Sequence, residues 1–250
     1  LSDFIDRLDD TEPTLVFANR RTITQPTEDV IKNLFNEQPI DVVVADIENL
    51  PPDQMVVFRK GEFVAASPVH AFVDSILLSD PELFTQSGDV SATEIPNAVV
   101  ALEETKFLFD GSMQPSKEKL IFILISRFIE KRALESDGGT LRTGFQEISR
   151  LRDERGTAEV YRRLGIASLD THIYGALDWI PPIDVDVVVH GGSSDEFRDH
   201  WFVVFEPAEQ SVVSGIAPLA EKLESYRWRA VWSSDETFVT ELSTYIARNM

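Results

Sequence analysis

The sequence contains no cysteine. That excludes a disulfide framework, a thiol nucleophile and any cysteine-ligated metal or cluster. Long apolar runs are missing too. The longest, Leu120 to Ile125, is six residues, far short of the ~20 needed for a membrane helix. The first residues show no basic-then-apolar segment of the secretory kind. Lysine is scarce, with seven among 23 basic residues. There is no G-x-G-x-x-G, no phosphate-binding loop of the G-x-x-x-x-G-K type, no G-x-S-x-G elbow and no helix-turn-helix pattern. The expectation is therefore a cytoplasmic protein without a resident cofactor, with an unknown small-molecule ligand left open.

Acidity is what the chain has in abundance. Forty-three Asp and Glu against 23 Lys and Arg give a net charge of −20. Self-repulsion of that size strains a compact state in dilute buffer. It is tolerable where molar salt shortens the screening length to ~3 Å. Few lysines, many carboxylates and a pI near 4.5 are the pattern of a salt-in cytoplasm such as that of haloarchaea. The same charge argues against nucleic acid as a direct partner, because no basic stripe exists to displace phosphate counterions. Residues 1–115 carry 21 acidic and 7 basic residues, against 22 and 16 in residues 116–250. This shift, near Gln114-Pro115, predicts two associated subdomains: an acidic N-terminal one over 1–115 and a more neutral one over 116–250.

The pattern of elements is that of an α/β protein with a mixed β-sheet flanked by helices. A short helix over 2–8 precedes a strand over 14–18. Thr27 is placed to cap a helix over 28–35. Asp41 to Ile47 reads as a strand buried on both faces. Strands over 55–58 and 63–66 flank Lys60-Gly61-Glu62 as a hairpin, and Pro68 opens a helix to Leu78. Asn97 is a candidate cap for a helix towards Phe109. A long helix spans Lys117–Glu135, with Ser116 its candidate cap and Gly138-Gly139 its stop. Residues 140–148 fit either strand or helix, and 158–164 a helix. Strands follow over 171–174, 185–190, 201–205, 211–215 and 228–232, then a helix over 236–248 capped by Asp235. A strand, a Pro-Pro pair and a hairpin occur in that order in each half, an internal echo that duplication or chance would explain.

An ordered series of short motifs runs through the second half: Ser126-Arg127-Phe128-Ile129-Glu130, Gly144-Phe145-Gln146, Val160-Tyr161, Asp170-Thr-His-Ile-Tyr-Gly175 with Asp178, Val189-His190 with Asp195-Glu196, and Trp201 to Phe205. From residue 116 onward this series resembles the DICT sensory domain, a family found beside diguanylate cyclases and two-component proteins and as near-stand-alone chains in haloarchaea. The family's aromatic, glycine-containing final strand is replaced here by Arg229 to Asp235, and its acidic stretch is reduced to Ala220-Glu221. The resemblance implies a non-enzymatic sensory role in signal transduction. It points to Arg127, Glu130, Phe145, Gln146, Tyr161, His172, Tyr174 and Trp201 as ligand-binding candidates. It also implies a signalling protein or transcription regulator as partner, with no membrane and a homodimer as one form of assembly.

The residues themselves allow more than one chemistry. Arg127 and Glu130, three apart on a helix, either form a structural ion pair or offer a guanidinium fork to an anion. Phe145 and Gln146 are either core and backbone-satisfying residues or ligand readers. Asp170, His172 and Tyr174 alternate onto one strand face, which is either a half-exposed surface or a proton-relay pocket. His190-Gly-Gly offers an esterase-like oxyanion loop, but the nucleophile elbow it requires is missing. His190, Asp195, Glu196, Asp199 and His200 do not follow metal-ligand spacing, so no metal is expected. The alternatives to a sensor are a small hydrolase or metal-dependent enzyme using His172 or His190, and a protein–protein adaptor with no ligand.

Overall fold

The computed structural model describes residues 1–8, 12–77, 95–110, 117–153, 155–181, 186–208, 215–224 and 226–250. The fold is α/β with two mixed sheets. The smaller sheet has the strand order β2-β1-β3-β4, where β1 is Thr14–Ala18, β2 Asp41–Ala45, β3 Gln54–Arg59 and β4 Glu62–Pro68. The larger has the order β5-β11-β10-β9-β6-β7-β8. Its strands are β5 (Phe107–Asp110), β6 (Gly139–Glu147), β7 (Leu169–Ala176), β8 (Val188–Gly191), β9 (His200–Pro207), β10 (Ala217–Glu224) and β11 (Arg227–Ser233).

The first helix, α1 (Ser2–Asp6), packs on the large sheet, whereas around the small sheet lie α2 (Gln25–Phe35), α3 (Val69–Phe72) running into a π-helical turn at Val73–Leu77, and α4 (Asn97–Val100). The cap of α2 is Thr24 rather than Thr27, and Thr24 Oγ1 accepts from the Thr27 N–H. Pro26 then sits in the first turn, where its missing N–H costs nothing. Lys60 and Gly61 both adopt positive φ in the β3–β4 turn, as a two-residue hairpin with matching twist requires. The Val-Val-Val strand β2 is an exposed edge strand rather than a doubly buried one: β1 pairs with one of its sides. The expected helix from Asn97 to Phe109 stops at Val100, because the Glu104 N–H donates to Trp232 O and turns the chain into β5.

The large sheet is sandwiched between helices. The long α5 (Lys117–Glu135), α6 (Arg150–Asp153) and α7 (Arg155–Gly165) lie on one face, over Leu141, Ile173, Val203 and Phe205. On the other, α9 (Glu236–Asn249), α1 and the short α8 (Asp195–Arg198) cover Tyr174, Phe202, Val204, Leu219 and Val231. Asp235 caps α9 through the Phe238 N–H at 2.8 Å. Residues 140–148 resolve to a central strand, β6. The strand expected over 211–215 and the Ser116 cap lie outside the described residues apart from Gly215, whereas β10 follows directly.

Two observations move the subdomain boundary away from residue 115. β5 pairs with β11 in the large sheet, and Phe4 of α1 packs on Phe238 and Tyr245 of α9. One continuous core runs from Leu15 through Phe107 to Trp232, so the sheets share an interior. The internal echo has a structural counterpart. In β2-β1-β3-β4 and in β7-β6-β9-β10 the first pair is parallel and the next two are antiparallel, with α2 and α7 making the equivalent crossovers.

Candidate functional site

The candidate residues divide between the two faces of the large sheet. On the α5–α7 face Arg127 Nη1 donates to Glu130 Oε2 at 2.7 Å, and Nη2 donates to Thr157 Oγ1 at 2.6 Å. The Tyr161 hydroxyl bridges Glu130 Oε1 at 3.0 Å and Thr143 Oγ1 at 2.6 Å. Phe145 meets the Tyr161 ring edge-on at 5.1 Å. All of these residues are buried. Burial, followed by the neighbouring Glu130 carboxylate, pushes the Tyr161 phenol well above its ordinary range. This arrangement ties α5 and α7 to β6. Its guanidinium fork is occupied by the protein's own groups.

Trp201 lies on the same side, packed edge-on against Phe122 of α5 at 4.7 Å. Gln146 lies at the irregularity near the end of β6, with φ +58°. Its Nε2 donates to His200 O at 2.9 Å, so its amide holds the start of β9.

On the opposite face the parallel register of β6, β7 and β8 aligns Arg142 with His172 and Tyr174 with His190. His172 Nδ1 and His190 Nε2 are 2.8 Å apart; one donates and the other accepts according to tautomer. His172 Nε2 lies 3.0 Å from Asp170 Oδ2, though off the hydrogen-bond line. The His190 ring stacks on Tyr174 at 4.4 Å with an 8° tilt. Arg142 Nη1 donates to the Tyr174 hydroxyl at 3.0 Å and its Nε to Ser243 Oγ at 3.2 Å. Ser243 in turn donates to Glu206 at 2.7 Å. A polar chain thus runs from beneath α9 to the surface, where the Asp170 side chain is 64% exposed against 15% for His172.

Protonation sets what this pair can do. Two neutral imidazoles share one N–H···N bond, and one added proton keeps that bond while placing a single positive charge beside Asp170. A second proton would put two N–H groups face to face. Desolvation, then the charge on His172 and on Arg142, holds His190 below its ordinary pKa. Desolvation raises Tyr174 despite Arg142. Among the described residues no group of three or more His, Asp or Glu is arranged to hold a metal ion.

Sequence reasoning placed Asp170, His172 and Tyr174 on one face correctly, but did not find Arg142, Ser243 or Glu206. The signal for Arg142 is its alternation with Thr140 and Gly144 along β6, which becomes readable only once the β6–β7 register is known. In the sequence His200 stands out only as a candidate metal ligand. It is buried, with Nε2 3.3 Å from Ser2 Oγ, and among the described residues Nδ1 makes no hydrogen bond.

Comparison with family models and with curated proteins returns no match. Among solved structures, polyphosphate kinase from Porphyromonas gingivalis superposes with a TM-score of 0.40 at 8% identity, covering 90% of this chain and 34% of that one. A likeness that loose carries no argument about function. Among the described residues no helix is long and apolar enough to cross a membrane.

Proposed function

We propose that this chain is a non-enzymatic sensory or regulatory protein of a molar-salt cytoplasm, reading its input at the Arg142–His172–Tyr174–His190 face. The input is a small molecule or a partner protein, and the output goes to a signalling protein or transcription regulator. The DICT-like motif series in the second half supports a sensory role. The observation that carries the reading is the His172–His190 hydrogen bond, half-buried and adjoining the exposed Asp170 carboxylate. Such a pair can take up one proton while keeping its hydrogen bond, and the chain through Arg142 and Ser243 connects that change to α9.

The Asp170–His172 contact is the feature that favours a hydrolase instead. In a nucleophilic triad the second ring nitrogen faces a hydroxyl or thiol. Here it faces another imidazole.

The deciding experiment melts the full chain in molar KCl against a panel of small anionic and aromatic metabolites. A reproducible upward shift that is lost in His190→Ala, with no turnover of the stabilising compound, supports the sensory reading. Turnover abolished by His172→Ala or His190→Ala would replace it with the hydrolase.

A further inference from the structure

The two sheets have four edges, and three of them are guarded by charge or proline. β2 starts at Asp41 and is followed by Asp46; β4 runs from Glu62 to Pro68; β5 is flanked by Lys106 and ends in Asp110. Such residues at an edge discourage pairing with another chain. The edge at β8 differs. From Val187 to Ser194 the sequence is VVVHGGSS, without one Asp, Glu, Lys or Arg, in a chain where charged residues make up 26%. Among the described residues no strand pairs with its outer side.

The outward groups of this edge follow from the β7–β8 ladder. The Gly192 N–H donates inward to Gly175 O. Main-chain groups alternate along a strand, so those of Val187, Val189 and Gly191 point away from the sheet. Side chains alternate as well. Val189 packs towards the α5–α7 core, whereas Val188, 48% exposed, shares the other face with His190.

Apolar side chains flank both ends of the edge. Leu177, 63% exposed, lies where a Cβ on Gly191 would touch it at 2.2 Å. Ile166, 72% exposed, follows Gly165, which packs against the Asp186 backbone at the other end. Both lie on the α7 side of the sheet.

We infer that β8 is a self-association edge whose occupant is β8 of a second copy of this chain, running antiparallel about a two-fold axis through Val189. This inference is independent of the sensory reading. Between two chains that each carry −20, with charges screened beyond ~3 Å in molar salt, strand pairing costs least at an edge that itself carries no charge, and this uncharged stretch supplies that edge. An axis at Val189 pairs the outward groups of the two Val189 residues with each other, and those of Val187 with Gly191 of the second copy. It sets Ile166 of one copy beside Leu177 of the other. Val188 is then directly opposite His190 of the second copy, in a close pair whose main-chain groups bond inward. The interface is isologous, as closed dimers require.

The test is sedimentation equilibrium of the full chain in molar KCl. Dimer is expected well below roughly 100 µM. Val188→Asp should weaken it about tenfold or more, while Val43→Asp on the β2 edge leaves it unchanged. The register is tested separately by exploiting the absence of cysteine. Val188→Cys chains mixed with His190→Cys chains should form a disulfide under mild oxidation, since facing Cα atoms about 4.5 Å apart lie within bridging range. Either variant alone should cross-link far more slowly. A wild-type monomer at roughly 100 µM, equal effects of Val188→Asp and Val43→Asp, or cross-linking no faster in the mixture than in the separate variants would each overturn the inference.

Discussion

Replacing Glu130 by alanine removes the counter-charge of a guanidinium whose side chain is only 8% exposed. Breaking a buried ion pair from one side costs about 3–5 kcal/mol. In a domain of this size that corresponds to a drop in Tm of roughly 6–20 °C. Replacing both partners, as Arg127→Met with Glu130→Met, removes charge and counter-charge together and should recover most of the loss. A residue of about 1–2 kcal/mol should remain, because the Tyr161 and Thr157 hydroxyls lose partners. The assay is urea unfolding in molar KCl, with the slope against denaturant checked for constancy. A Glu130→Ala cost below about 1 kcal/mol would show that water reaches the pair. A double variant no better than Glu130→Ala would refute the idea that the penalty comes from parting the Arg127 guanidinium from the Glu130 carboxylate.

Four further outcomes are expected. Burial holds His200 below its ordinary value, as desolvation does His190. The unfolded chain therefore binds protons first, and stability should fall as pH drops below about 6.5; His200→Gln should flatten that slope in melting curves. Asp53 acts at lower pH. Burial opposes its charge, but the N–H groups of Arg21 and Thr22 prevail and hold it at about 2. Its contribution is complete above 3.8 and fades as pH falls towards 2. Gly139→Ala should cost more than about 1 kcal/mol in denaturant unfolding, because φ there is +137° and a Cβ would meet Glu206 O at 2.5 Å. Lowering salt should increase hydrogen exchange first in β1 to β4, where net charge is most negative. Uniform loosening of both sheets would contradict that.

Much of the fold was legible because local signals agreed with tertiary context. The Gly-free, Pro-free run over 117–135 is α5 with the same bounds, and Asp235 caps the final helix. Lys60-Gly61 turns the hairpin. Failures came where a distant partner decides. Ala217 to Glu224 has no strand-like alternation, yet β9 and β11 hold it extended through Leu219, which faces Phe202 on one side and Val231 on the other. The valines of β2 announce a strand but not its place in the sheet. The helix expected after Asn97 is ended by a hydrogen bond to Trp232, more than a hundred residues away. The same limit applies to the site. Period-two alternation put Asp170, His172 and Tyr174 on one face, but nothing local could reveal that Arg127 and Tyr161 lie on the other side of the sheet. Nor could it show that His190 completes the pair.

The most direct test of the sensory reading is a titration of the histidine ring nitrogens by 15N NMR, in molar KCl, with and without a compound that raises the melting temperature. Coupled proton uptake by the two hydrogen-bonded rings is expected, with His190 held low by desolvation and the uptake shifted by the bound compound. Independent titration of the two rings, unmoved by any stabilising compound, would contradict it.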